Sequence, residues 1–172
     1  MWDRAESPTV VNGLRVVVQP GKLRLCMNPM YINLFIRYQP LRYERIIEMM
    51  HYVRPDDFLY ATDDKSGYWQ LAMHPDAFRF LAFQWQGTPF YFPACAFGLA
   101  PACGWYLDMK LEVYRPMRER GARLTFLLDD HAAAATGPGR VKYLCRTVIM
   151  ILSALGFTLS FKKSCMIPTR RP

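Results

Sequence analysis

The chain has 172 residues, 52% hydrophobic and 21% charged, with 13 Pro and 10 Gly. That is the size of one compact domain with a real core, and it excludes a disordered chain. Lys and Arg number 22 against 14 Asp and Glu, a formal net charge of +8, which points to a polyanionic partner, nucleic acid first.

Five cysteines, at 26, 95, 103, 145 and 165, form no C-x-x-C pair, so neither a disulfide scaffold nor a zinc site is expected. No basic stretch followed by an apolar one opens the sequence. An unsecreted, intracellular protein in a reducing compartment is expected. The most apolar stretch, Thr147 to Phe161, is shorter than the ~20 residues of a bilayer span.

In chain order, Pro8 to Met27 carries the β-branched runs 9–11 and 16–18, divided by Asn12-Gly13 and followed by Pro20-Gly21. This predicts two or three short strands with turns at both dipeptides. Over 41–53, Ile46, Met49, Met50 and Val53 recur at helical spacing before Pro55, predicting a helix that ends there. Residues 57–62 read as a buried strand that delivers Asp63 and Asp64 at its carboxyl end. The aromatic stretch 78–85, the turn 87–89 and Phe90 to Phe92 predict a hairpin.

A helix follows over 102–120, kinked or ended by Pro116 and capped by Gly121. Residues 123–128, the pair Asp129-Asp130 and residues 131–135 predict strand, tight turn and strand. Val141, Leu144, Cys145, Val148, Leu152 and Leu155 trace one face of a last helix stopped at Gly156. A final strand is expected at 157–161. The order suits an α+β fold, helices layered on an antiparallel sheet.

Two aspartate pairs thus stand at the ends of apolar strands. Carboxylates held close together repel unless cations neutralise them, and their hard oxygens suit Mg²⁺, which shares its remaining positions with substrate phosphates. The plain alternative is that Asp-Asp is common in turns. The residues alone reach a two-carboxylate metal site on an α+β sheet and stop there.

Taken together, the segments from about Ser7 to Thr169 resemble the fingers and palm of reverse transcriptases of the retrotransposon type. Asp63 to Gln70, DDKSGYWQ, is similar to the first palm motif; Ala96-Phe97-Gly98-Leu99 resembles the second, usually Pro-Phe-Gly-Leu. Arg118 to Asp130 resembles the third, an aromatic-x-Asp-Asp hairpin with Leu127 in the aromatic position, and Leu155-Gly156-Phe157 with Lys162-Lys163 resembles the fourth. Gly21 to Leu25 and Tyr31-Ile32-Asn33 resemble the fingers strand beside the incoming triphosphate, although Asn28 and Met30 stand where the family has Asp and Arg.

The resemblance implies a partial fingers subdomain over 1–57 and a palm over 58–172 with a hairpin insertion near 74–92, the thumb being absent. It implies RNA-directed DNA synthesis from dNTPs on a primed RNA or DNA template, with no membrane partner and the oligomeric state open. Asp63, Asp129 and Asp130 would hold two Mg²⁺, for which Mn²⁺ can substitute. Lys22 and Arg24 would clamp the triphosphate, Tyr68 would act as the gate against ribonucleotides, Gly98 would let the backbone approach template or nucleotide, and Lys163 would meet the pyrophosphate. Two alternatives stand beside it: an inactive retroelement relic or nucleic-acid-binding fragment, and an RNA-dependent RNA polymerase, against which Tyr68 argues.

Overall fold

The computed structural model describes residues 2–37, 40–41, 43–44 and 46–170, without the side chains of residues 46 and 47. It divides into two compact units, Met1–Pro40 with Tyr68–Trp105, and Leu41–Gly67 with Tyr106–Pro172. The mixed α+β character expected from the sequence is present, but with two sheets in place of one.

The first unit holds a five-stranded sheet in the order β1-β6-β5-β2-β3, formed by β1 (Asp3–Arg4), β2 (Val11–Gln19), β3 (Lys22–Asn28), β5 (Ala82–Trp85) and β6 (Thr88–Tyr91). Strands β2 and β3 pair antiparallel around Pro20-Gly21, with Gly21 at φ 71°. Asn12-Gly13, expected as a turn, lies inside β2. The buried Asn12 amide donates to the carbonyls of Phe80 (2.8 Å) and Ala82 (2.9 Å), so this polar side chain stitches β2 to β5. That junction is parallel, a departure from an all-antiparallel sheet.

Strands β5 and β6 form the expected hairpin, but its turn is Gln86-Gly87 and not 87–89: Thr88 and Pro89 already pair in β6, and both turn residues take positive φ, the geometry that matches strand twist in a two-residue loop. Phe78 belongs to a helical turn, α3 (Pro75–Phe78), not to the strand; Pro75 at its first position presets the helical φ. A second short helix, α1 (Met30–Asn33), follows β3. Met27, Leu81, Phe83, Phe92, Cys95 and Leu99 form this unit's buried core.

The second unit holds an antiparallel sheet in the order β7-β8-β4-β9, formed by β4 (Asp57–Asp63), β7 (Arg123–Leu127), β8 (Asp130–Thr136) and β9 (Cys165–Thr169). Helix α5 (Pro138–Ala154) buries Val141, Cys145, Val148 and Leu152 and packs on β4, β8 and β9. Helix α4 (Ala102–Glu119) continues through Pro116. It is closed by Gly121, at φ 84°, whose N–H donates to Arg118 O at 2.8 Å. Helix α2 (Ile46–Tyr52) falls within the predicted 41–53 helix; residues 42 and 45 and the Ile46 side chain of that prediction lie outside the described residues.

The last strand is displaced from the prediction. Phe157 and Leu159 are buried and alternate as a strand would, but only Leu159 forms a bridge, with Asp64. The ladder position along β4 goes instead to β9, at the sheet edge, where Pro168 removes no needed donor.

At the start of β4, the fully buried Asp57 carboxylate is gripped by both terminal nitrogens of Arg123 and accepts from Arg54 N (2.7 Å) and Thr136 Oγ1 (3.2 Å). Arg123 above all holds the Asp57 carboxyl down at about 2. A depressed carboxyl stabilises the fold above its unfolded pKa near 4, and that gain, about 2 kcal/mol, is lost as pH falls through 2. Arg123→Met strands a buried charge and is expected to cost about 3 kcal/mol, lowering the melting temperature at pH 7 by roughly 6–12 °C. Calorimetry of the two proteins checks this; an unchanged melting temperature would remove the pair from the stability of the unit.

Candidate active site

Strand β4 is apolar for most of its length and flanked by strands on both sides, so Asp63 emerges where the hydrophobic layer ends. Its register partner across the ladder is Asp130. The sequence placed the hairpin turn at Asp129-Asp130; the turn residues are instead Leu128 and Asp129, and Asp130 opens β8 opposite Leu127. Leu128 takes φ 57°, a left-handed conformation that costs a branched side chain about 1–2 kcal/mol. The turn is held to the residue that follows β4 by a hydrogen bond from Asp64 N to Asp129 O at 2.8 Å.

Lys163 joins these carboxylates. Its Nζ lies 3.0 and 2.8 Å from the two Asp63 oxygens, while Asp63 N donates to Ser164 Oγ at 3.1 Å. The Asp63 carboxylate foremost, with Asp129 and Asp130 behind it, raises the Lys163 amine above its ordinary range. Water lost around its carboxyl, then the charges of Asp129 and Asp63, raise Asp130. Three carboxylates and one ammonium therefore share one end of the sheet. Among the described residues, no three His, Cys, Asp or Glu side chains are grouped so as to hold a metal ion as they stand.

Behind this surface lies a second set of side chains that the sequence reading did not assign. Asp64 points into the interior, where its Oδ2 meets the Tyr106 hydroxyl, Lys110 Nζ at 2.5 Å and His131 Nε2 at 3.0 Å. Burial pushes the Asp64 carboxyl up, but His131 and Lys110 outweigh it and hold it below the ordinary range. The available signal was the spacing of Tyr106, Lys110 and Tyr114 along one helix face.

The remaining candidates belong to the first unit. Lys22 and Arg24, two residues apart on β3, share one face of the ribbon and are exposed, opposite Gln19 and Val17. Tyr68 is half-buried, its hydroxyl 2.6 Å from Cys103 Sγ and its ring tilted against Phe97 at 5.3 Å. Gly98, at φ 109°, has a requirement inside the protein itself: an added Cβ would sit 2.5 Å from Met27 O and 2.9 Å from Pro29 Cδ. Its carbonyl accepts from Asn33 Nδ2 at 2.9 Å. Asp63, Asp129, Asp130 and Lys163 are thus gathered in one unit, and Lys22, Arg24, Tyr68 and Gly98 stand in the other.

Solved structures share this fold. A foamy viral protease-reverse transcriptase solved with double-stranded DNA matches over 96% of this chain with a TM-score of 0.84 and 17% identity. The same kind of protein solved with an RNA/DNA hybrid matches over 96% with a TM-score of 0.83 and 14% identity. The native prototype foamy virus enzyme gives 0.81 and 16%. The chain has the fold of part of a retroviral reverse transcriptase.

It spans 29, 22 and 22% of those three chains respectively. No family model and no curated protein matches the sequence. Among the described residues, no helix is long and apolar enough to cross a membrane.

Proposed function

We propose that this chain is the fingers and palm region of a retroelement reverse transcriptase, joining dNTPs to a primer 3′-hydroxyl on a nucleic-acid template. The carrying observation is the gathering of Asp63, Asp129 and Asp130 at one end of the sheet, where lost hydration first, and then the charges of Asp129 and Asp63, raise Asp130. Oxygen-only donors whose charges crowd each other fit hard divalent cations, so Asp63 and Asp129, assisted by Asp130, would hold two Mg²⁺ or Mn²⁺. Such ions, when bound, activate the attacking hydroxyl and neutralise the departing pyrophosphate.

The chain's own groups do the rest. Lys163, now on Asp63, supplies a cation that can turn to the leaving phosphates once the carboxylate is engaged. Lys22 and Arg24 supply a lysine and a planar guanidinium from one face of the β3 ribbon, suited to a triphosphate. The functional division is that of the resemblance, fingers over 1–57 and palm over 58–172.

A nucleic-acid partner draws further support from the net charge of +8. It also draws on a cleft of about 640 Å³ lined by Arg54, Arg120, Arg123 and Arg140 with Tyr143, at the Asp57 end of the sheet. The foamy viral proteins of the same fold were solved on double-stranded DNA and on an RNA/DNA hybrid.

Substrate choice tests the reading at Tyr68. Its hydroxyl meets Cys103 and its ring packs against Phe97, contacts that hold the ring in one orientation. Tyr68→Ala is expected to relax discrimination against ribonucleotides by roughly 10- to 100-fold, with dNTP use retained. Single-nucleotide incorporation with paired dNTP and rNTP substrates measures it, and unchanged selectivity in an active enzyme removes the gate from Tyr68.

A further inference from the structure

The motif Asp63-Asp64 poses a problem that the sheet must solve. Adjacent strand residues point to opposite faces, so a one-residue slip of β4 would bury Asp63 and present Asp64 in its place. The Asp57 clamp holds the start of β4 in register, but the middle of the β8 ladder offers little resistance to a slip nearer Asp63. Four consecutive partners of β4 are alanines, Ala132 to Ala135, whose methyl groups look alike from every register.

What distinguishes the two aspartates lies beneath them. Lys110, fully buried, stands 2.5 Å from Asp64 Oδ2 and 3.7 Å from the centre of the Phe157 ring. His131 stands 3.0 Å from the same oxygen, and its Nδ1 is 2.7 Å from the Tyr114 hydroxyl, with Tyr114 stacked on Phe126. A buried ammonium needs a carboxylate, and only Asp64 supplies one among the described residues. Such pairs add little net stability, but they penalise arrangements that separate them.

We propose that the buried Asp64–Lys110–His131 network is a register lock: it selects which aspartate of the pair faces the active site and, through Asp64 N and Asp129 O, fixes the turn that carries Asp129. These are positioning residues, and their catalytic consequence rests on the polymerase reading; the register itself does not. Two of the three lock residues directly follow a candidate metal ligand in the sequence, Asp64 after Asp63 and His131 after Asp130, and Lys110 reaches them from α4.

The test compares the parent chain with Lys110→Met, Asp64→Leu and the double variant. Lys110→Met leaves the buried Asp64 carboxylate with only His131 and the Tyr106 hydroxyl beside it, and Asp64→Leu leaves Lys110 buried without a carboxylate; each is expected to lower the melting temperature by roughly 6–12 °C. The double variant, with an apolar pair of similar volume, is expected to recover to within a few degrees of the parent. In Lys110→Met, amide exchange at residue 64 is expected to accelerate at least about tenfold more than exchange along α5, because the slipped register breaks the bond to Asp129 O. The double variant restores that protection.

If Lys110→Met does not fold, the double variant must still fold and melt above Asp64→Leu. A double variant no more stable than the weaker single, or exchange that rises evenly across the unit, overturns the lock. Where extension is measurable, Lys110→Met lowers kcat at unchanged KM for primer-template, and the double variant restores kcat. Melting and exchange need no polymerisation, so a chain that shows the coupling yet extends no primer loses the polymerase reading alone.

Discussion

Asp129→Asn is expected to lower nucleotide incorporation by at least ~10³-fold, about 4 kcal/mol of transition-state stabilisation, while leaving the fold intact. The size of the loss follows from what an amide cannot do. It presents one neutral oxygen where the carboxylate presents two charged ones, and a site that gathers developing negative charge on phosphate depends on that charge being balanced. The side chain belongs to the turn between β7 and β8 and is half-exposed, so the substitution removes no core contact. Its backbone carbonyl still accepts from Asp64 N. Single-turnover incorporation and a melting curve on the same preparation separate the two effects; a variant within tenfold of the parent rate would take Asp129 out of the chemistry.

Gly98→Ala is expected to damage the first unit more than any other glycine substitution among those described. The alanine Cβ would meet Met27 O at 2.5 Å, a backbone atom that cannot rotate away, and the ring of buried Pro29 at 2.9 Å, with φ at 109° besides. Strain and collision together are set at about 3 kcal/mol or more, a fall of roughly 6–12 °C in melting temperature. Gly121→Ala is the control: it shares a positive φ of 84° but meets nothing within 4 Å, so only the conformational cost of about 1 kcal/mol applies. Equal denaturation midpoints for the two variants would contradict the close approach.

That glycine shows where sequence reasoning reaches its limit. The motif singled out Gly98 for approach of a ligand, and the structure supplies a reason inside the chain, a contact between residues 71 positions apart that no local pattern encodes. The long helices and the two β-hairpins of the first unit were legible because their signals are local: the 3.6-residue recurrence of Val141, Cys145, Val148 and Leu152, the turn at Pro20-Gly21, and the glycine of the turn expected at 87–89, which falls at Gln86-Gly87. Asn12-Gly13 misled because a tertiary use, two hydrogen bonds across to Phe80 and Ala82, outweighed its turn preference. Phe157 to Phe161 misled because burial alternates there without a ladder to join.

In the candidate site, the carboxylates were legible as strand-end residues, and the exchange of Asp130 from turn to strand changes its neighbours without removing it from the cluster. Asp64 was not legible. A second acid beside the first reads as redundant until Lys110, 46 residues away on α4, and His131 on β8 are seen to surround it. A buried ion pair assembled from three separate elements has no signature in spacing alone.

Extension of a DNA primer on an RNA template with dNTPs decides whether the gathered carboxylates form a polymerase site. This chain and Asp129→Asn, prepared identically, are compared in Mg²⁺ and in Mn²⁺. Extension by the parent that vanishes in the variant is the expected result. A folded parent chain that extends nothing in either metal, or a variant that extends as well as the parent, would contradict it.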